Sequence, residues 1–490
     1  MSFSHRSMAV LTAVVLTLSA CTSGGDDADP DASDPSTEAS SEASDVALEP
    51  GDEPLPTRSD DVAFIRTIHD EMNRLPAETP IVRGVFSTIY SFWGDRWEYL
   101  IDLVATTEIN ALVIDVKEED GNLLWAMPEL PMAVETGGGD WMSANRDPRP
   151  RLRRLHDLGG YAIARVVCMK DNKLAAARPD LTIIDERTGA PLVGNQGEIW
   201  MDPYADEVWQ YCADAGAQAI GMGFDEVQFD YVRFPNSGDA PVDALHFQNA
   251  PADVTPDTVQ DPDVITNGLR IAVETVHAAG GRASADVFGL TLYNYEHNVD
   301  GTGQVWERLA FLMDYMSPMV YPSHYGTGNF GVDGHPVRFP RETLLGSMEE
   351  AQVRSQGLQV GIRPWLEDFG SPWLGGAGMP HSADRVRAQI EATYDRGIES
   401  WLLWNAGNTY SVEALEPTLE PRATPWERDE TIVGGAKQRI RQLPIDEHGE
   451  LIVDEPTPEP TESEPSEPEP SESDPSEAPT PTESETADAA

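Results

Sequence analysis

The feature that most constrains this chain is a regular alternation. Eight short apolar runs of β-type composition are separated by amphipathic stretches with helical period. The runs are Ile81–Phe86, Ala111–Val116, Tyr161–Met169, Phe224–Val232, Arg282–Phe288, Tyr315–Val320, Gln359–Trp365 and Ser400–Trp404. Helical patterns fall between them at Trp97–Thr107, Arg151–Leu158, Asp206–Ile220, Val264–Ala279, Trp306–Met313, Arg341–Ser355 and Ala383–Arg396. Short, nearly continuous apolar strands suit a parallel sheet buried on both faces. Eight alternations without a reversal predict an α/β fold of the (β/α)₈ TIM-barrel class. An open doubly wound sheet is the rival, disfavoured because no Gly-rich phosphate turn follows the first strand.

The ends read differently. A cationic start (His5, Arg6) precedes an apolar run from Met8 to Leu18 and then Leu-Ser-Ala-Cys. That run suits a signal-peptide core and is short for a membrane span. Leu-Ser-Ala before Cys21 resembles the bacterial lipobox, which implies cleavage after residue 20 and a lipid on Cys21. The expectation is an extracytoplasmic protein, anchored to the cell membrane through its N-terminal lipid only. Residues 21–61 are rich in Asp, Ser, Glu and Pro, and 444–490 form a Pro/Ser/Thr/Glu-rich tail. Both lack the apolar surface to offset ordering entropy, so they are expected to be disordered acidic flanks to a domain over 62–443. They carry roughly half of the net charge of −52, and no basic stripe is present, which argues against nucleic acid as a partner. Cys168 and Cys212 are the other cysteines and are too few for a disulfide scaffold or a zinc site. They are expected to be small buried apolar residues, with pairing as the alternative.

In a barrel, the C-terminal ends of the strands converge on one rim, where active sites sit. Polar and aromatic residues stand at seven of these predicted ends: Asp115 and Lys117, Lys170 and Asp171, Asp230 and Arg233, Asp286, Tyr321 to Tyr325, Trp365 with Glu367 and Asp368, and Trp404 with Asn405. In Gly223–Pro235 (GFDEVQFDYVRFP), period-2 alternation places Glu226, Gln228 and Asp230 on one face, with Asp230 nearest the rim. Asp286 stands at a similar height on the next strand. Adjacent strands lie about 4.8 Å apart, so these two carboxylates can reach the separation of ~5–9 Å that glycosidic chemistry uses. One must remain ionised and the other must keep a proton, which like-charge proximity and burial arrange. Asp225, Glu226 and Asp115 are expected to be structural, with Arg165, Lys117 and Lys170 as partners.

Aromatic residues at the rim suit sugars, whose C–H faces stack on rings while their hydroxyls take planar polar partners. Trp200, Trp365 and Trp404 are the candidate stacking walls. Asp115, Arg165, Arg233, Tyr321, His324, Arg363, Glu367, Asp368 and Asn405 are the further substrate-binding candidates. The histidines form no HxH or HxxxH cluster, so no metal is expected, and no GxSxG elbow supports a Ser-based esterase. No cofactor is required.

Several stretches together resemble the bacterial glycosyl hydrolase domain family known as domain of unknown function 4015: GFDEVQFDYVRFP, NALVIDVKEEDG, YAIARVVCMKD, SADVFG, GQVWE, SPMVYPSHY and RPWLEDF. The resemblance covers about Arg83 to Tyr410 and implies a TIM barrel related to glycoside hydrolases. FDEVQFDYVRFP is also similar, more loosely, to the FDGIDIDWEYP strand of chitinase-type barrels. There Asp230 matches the last Asp, while Val232 occupies the position of the catalytic Glu, so the proton donor must come from elsewhere. Asp286 is the candidate, with Glu367 or Asp368 in reserve. The expected function is hydrolysis of O-glycosidic bonds in a cell-envelope or extracellular polysaccharide by a carboxylate pair. The alternatives are a non-catalytic glycan-binding barrel and an envelope spacer. An acidic rim favours neutral or amino sugars over uronic-acid polymers.

Overall fold

The computed structural model describes residues 80–418, apart from 141–145, 237, 256–257 and 294–298. The expected signal peptide, the lipid-anchor candidate Cys21, and the expected acidic linker and C-terminal tail lie outside the described residues. Among those described, no helix is long and apolar enough to cross a membrane.

Eight parallel strands close into a ring. They are β1 (Arg83–Ser87), β2 (Ala111–Lys117), β3 (Tyr161–Val167), β4 (Glu226–Asp230), β5 (Arg282–Phe288), β6 (Tyr315–Val320), β7 (Gly361–Ile362 and Trp365–Glu367) and β8 (Trp401–Trp404). Each strand pairs in parallel with the next, and β8 pairs with β1, so no edge is left open. β7 is interrupted at Arg363–Pro364, where proline has no N–H to give the ladder. Pairing continues around the break, with Arg363 N donating to Met316 O at 2.9 Å and Leu402 N to Pro364 O at 2.9 Å.

Period-2 alternation sorts each strand into two cores. Phe86, Val113, Ile163, Tyr315 and Leu402 point inward and pack together inside the barrel. Val85, Leu112, Ile114, Ala164, Val227 and Phe229 point outward against the helices. Among the described residues, seven helices of seven or more residues wrap the ring, one between each pair of successive strands: α1 (Arg96–Thr106), α2 (Arg149–Asp157), α3 (Asp206–Met222), α4 (Pro262–Ala278), α5 (Trp306–Leu312), α6 (Pro340–Arg354) and α7 (Ala383–Asp395). α3 and α4 approach closely because Gly268 has no side chain. A Cβ there would sit 2.0 Å from the indole of buried Trp209.

The N-terminal ends of the strands are held by side chains. Asp225 accepts from Ala162 N at 2.9 Å and meets His156 Nε2 at 2.8 Å. Asp314 repeats the device with Ala283 N at 2.8 Å and His277 at 2.6 Å. Asp225 is therefore structural, as its sequence context suggests, but its partner is a histidine of α2, the helix that leads into the neighbouring strand β3. Cys168 and Cys212 are free and buried. The sequence reading places no strands in a small antiparallel sheet of Ile183–Asp185, Ala190–Pro191 and Leu245–Phe247, which lies in the segments after β3 and β4. These strands are two or three residues long, one pairing being a short hairpin and the other spanning some sixty positions of sequence, and runs this short carry no readable period.

Candidate active site

The inward side chains stack in layers along the barrel axis. At the floor, Glu226 of β4 is fully buried and ion-paired with Arg363 of the β7 break; Nη1 donates to Oε2 at 3.1 Å, and Nη2 bonds Oε1. Tyr161 Oη at 3.0 Å and Ser284 Oγ at 2.5 Å also donate to this carboxylate. A buried charge pair survives only with its remaining lone pairs satisfied, as these are. Above it, Gln228 Nε2 donates to Ser317 Oγ at 3.0 Å. This corrects one expectation. Arg363 was a candidate for orienting substrate at the rim, but it is wholly buried beneath the site, paired with Glu226 in the floor.

The top layer brings together side chains from six strands or their ends. Arg165 of β3 is its centre. Its Nε and Nη2 donate to Asp230 Oδ2 at 2.9 and 2.6 Å. Nη1 donates to Asp115 at 2.6 Å and Nη2 to Glu119 at 2.7 Å. Three carboxylates thus share one buried guanidinium, whose planar fork suits such geometry. Asp230 Oδ1 also accepts from Tyr231 N at 2.6 Å. Tyr231 takes a left-handed φ of 52°, an uncommon backbone state for a bulky residue that turns the chain sharply at the strand end.

Asp286 stands beside Asp230. The register pairs Gln228 with Ser284, so both aspartates lie two residues further along neighbouring strands, on the inner face. Asp286 Oδ1 accepts from Trp365 Nε1 at 2.7 Å. Burial, reinforced by the Asp230 charge, pushes the Asp286 carboxyl well above the usual carboxylate range. Burial likewise lifts Asp115, to about 8, against the pull of Arg165. For Glu119 burial works in the same direction, but the Arg165 guanidinium outweighs it and holds the group low. Tyr321 closes the layer; burial and then the Asp286 and Asp230 charges hold its hydroxyl protonated.

Trp404 is half-buried over this layer, stacked on Phe86 at 4.2 Å and edge-on to Trp365 at 5.5 Å. The Arg165 guanidinium carbon is 5.4 Å from the Trp404 ring centroid. Ionised and neutral carboxyls, a fixed cation and an aromatic face therefore meet at the C-terminal rim. The arrangement can donate a proton, hold a developing positive charge and stack a sugar ring. Among the described residues, no group of three or more His, Cys, Asp and Glu side chains is arranged to hold a metal ion.

Residues 84–410 match the family described as "Putative glycosyl hydrolase domain", domain of unknown function 4015. The chain belongs to that family. The match runs from the second residue of β1 to beyond β8, so the whole barrel is the glycosyl hydrolase domain. No curated protein matches the chain. Among solved structures, it is similar to a hypothetical protein from Ruminiclostridium thermocellum, at 30% identity over 41% of this chain and 97% of that one, with a TM-score of 0.35. It is also similar to the PgaB (BpsB) glycoside hydrolase domain from Bordetella bronchiseptica, at 12% identity over 67% and 95% of the two chains, TM-score 0.46. The spore cortex-lytic enzyme SleL of Bacillus megaterium matches at 9% identity over 69% and 74%, TM-score 0.38.

Within this glycosyl hydrolase barrel, Asp115, Arg165, Asp230, Asp286, Tyr321, Trp365 and Trp404 come together. Trp365 contributes its N–H to Asp286 and, at 1% exposure, no open face. Trp200 is likewise no stacking wall. It is fully buried, its ring taken by Lys170 at 5.1 Å and Arg233 at 4.7 Å. Arg233 is buried there with its ion-pair partner Asp239 at 3.5 Å, and Lys170 pairs with Glu198 at 2.9 Å.

The reserve acids are engaged elsewhere. Glu367 accepts from Ser323 N at 2.9 Å and lies 3.7 Å from Arg385. Asp368 holds Ser411, through its N at 3.0 Å and Oγ at 2.9 Å, and pairs with His381. Asn405 Nδ2 donates to Asp368 O at 2.6 Å, tying the β7 and β8 loops. His324 is exposed at the edge of the rim. Sequence reasoning missed Glu119 and Phe86. Glu119 stands two residues past the end of β2 in the run KEED, and a carboxylate run at a strand end is the signal that could have found it. Phe86 is unmarked among apolar strand residues.

Proposed function

We propose that this protein hydrolyses glycosidic bonds of a cell-envelope or extracellular polysaccharide, with Asp286 as general acid and Asp230 as nucleophile or general base. One observation carries the reading: burial and the Asp230 charge favour the protonated form of Asp286, while Arg165 grips Asp230 with a two-pronged guanidinium fork. Two like carboxyls with environments this different divide the labour of acid and base. Asp286 would pass its proton to the glycosidic oxygen as the C–O bond breaks. Asp230 would meet the oxocarbenium-like carbon directly or deprotonate the water that attacks it. Tyr321 and Trp404 border the same space. The lipobox-like Leu-Ser-Ala-Cys at Cys21 supports tethering outside the membrane, which suits a polymeric envelope substrate.

A glycan-binding barrel without turnover is the second reading, favoured by how fully Asp230 is engaged: Oδ2 accepts twice from Arg165 and Oδ1 accepts from Tyr231 N. Release of reducing ends from a panel of wall and capsule polysaccharides separates the two. Release by the parent and none by Asp230→Asn is the expected result. Glycan retention by both proteins with no release by either selects the binding barrel, and neither release nor retention removes both readings.

A further inference from the structure

Among the described residues, Trp373 is the one tryptophan with most of its side chain in solvent, 58% exposed. Its place is not random. Tyr321, beside Asp286, begins a row of rings running outward from the catalytic layer. Tyr321 meets Phe369 edge-on at 5.5 Å and His324 at 5.3 Å. Phe369 and His324 in turn meet Trp373 at 6.1 and 6.0 Å. The row thus starts beside the candidate acid and ends on an exposed indole.

The loop that carries Trp373 is braced. Ser371 N donates to Met379 O at 3.1 Å, Met379 N donates back to Ser371 Oγ at 3.1 Å, and Arg338 Nη2 ties Gly376 O at 2.6 Å. The edge-on contact with His324 and the tilted one with Phe369 fix the ring further. An exposed aromatic held still in this way binds without much loss of side-chain freedom. The solvation cost of a bare indole is offset when an apolar face covers it. The groups the row offers are ring faces and an imidazole, and the nearby carboxylates Glu367 and Asp368 are buried and engaged. The complement is the apolar C–H face of an uncharged pyranose ring.

Resting on the glycosidase reading above, we propose that Trp373, with His324 and Phe369, is a remote sugar subsite. It takes an uncharged pyranoside of the same chain beyond the residue at Asp286, so the substrate is a neutral polymer and not a terminal disaccharide.

The test uses the full chain, Trp373→Ala and Trp373→Phe, with disaccharides and hexasaccharides of glucose, galactose and N-acetylglucosamine as probes. Because the side chain is mostly exposed, the substitution removes little core. For a series that is cleaved, the hexasaccharide-over-disaccharide ratio of kcat/KM should fall about fivefold to tenfold in Trp373→Ala, with the loss in KM, and be largely kept by Trp373→Phe. An unchanged ratio overturns the subsite while leaving the glycosidase standing. If nothing is cleaved, retardation in gels containing the corresponding polysaccharides decides. Retardation that Trp373→Ala weakens supports the subsite while the hydrolytic reading fails. Retardation that it leaves intact, or none at all, overturns the subsite as well.

Discussion

Arg165 donates twice to one oxygen of Asp230, through Nε at 2.9 Å and Nη2 at 2.6 Å, and its Nη2 also holds Glu119 at 2.7 Å. With Asp115 on Nη1, one cation holds three carboxyl groups in the same layer. Its removal should therefore be felt twice. Arg165→Met leaves buried Asp230 and partly buried Glu119 without a counter-charge and is expected to cost about 3–5 kcal/mol. Chemical denaturation at neutral pH measures this. Arg165→Lys keeps the charge but cannot reproduce the fork, so turnover should fall on the order of a hundredfold even where the protein folds. A lysine variant with parental turnover would mean that charge alone, not the fork, positions Asp230.

Asp115 gives a pH dependence of stability with a definite sign. Burial raises its folded-state carboxyl to about 8, while an unfolded Asp titrates near ~3.9. The folded state therefore binds the proton more tightly. The resulting stability is fully present below the unfolded value and is lost as pH rises through the folded one. Asp115→Asn, a permanent mimic of the neutral form, should match the parent near pH 4 and gain on it steadily towards about pH 8. Melting temperatures of both proteins across that window check it. A difference that does not vary with pH would place the titrating acid elsewhere.

The floor pair Glu226–Arg363 is wholly buried and shares Tyr161 and Ser284 as partners. Glu226→Ala alone should destabilise by about 3–5 kcal/mol, because the guanidinium is left unpaired. Replacing both, as Glu226→Leu with Arg363→Met, should cost less than the sum of the single changes, since no uncompensated charge remains. Denaturation midpoints over the double-mutant cycle measure the coupling, and additive costs would show that the two groups do not depend on each other.

The barrel was legible because a strand buried on both faces leaves a continuous apolar run, and β5 and β6 begin and end where that pattern does. The aspartate pair was legible too, since period-2 alternation fixes which residues point inward. What could not be read was depth. Arg363 and Trp365 are two positions apart on one strand, both inward, yet one lies in the floor and the other in the catalytic layer. Two residues along a strand separate one layer from the next, and which layer opens to the rim is set by the stagger between strands, which leaves no local mark. Trp200 shows the same limit. A tryptophan after a strand looks like a stacking wall until the cations that cover it, Lys170 and Arg233, are brought in by tertiary packing.

The bond from Trp365 Nε1 to Asp286 Oδ1 at 2.7 Å supplies the sharpest test of the acid assignment. Burial and Asp230 raise the Asp286 carboxyl, and the indole N–H, which stabilises the charged form, partly opposes them. Trp365→Phe keeps an aromatic ring and deletes the donor. A hydrogen bond to a charged group is worth about 1.5–3 kcal/mol, and about 1.4 kcal/mol moves a pKa by one unit. The carboxyl should therefore rise by about one unit or more. For a general acid this moves the alkaline limb of kcat/KM, where activity is lost by deprotonation, to higher pH. Removing a donor thus widens the active range upward even as the peak rate drops. The profile of the parent and Trp365→Phe on one cleaved polysaccharide measures it. An alkaline limb that stays in place would remove Asp286 from the role of acid, and Asp115, also lifted by burial in the same layer, would be the next carboxyl to test.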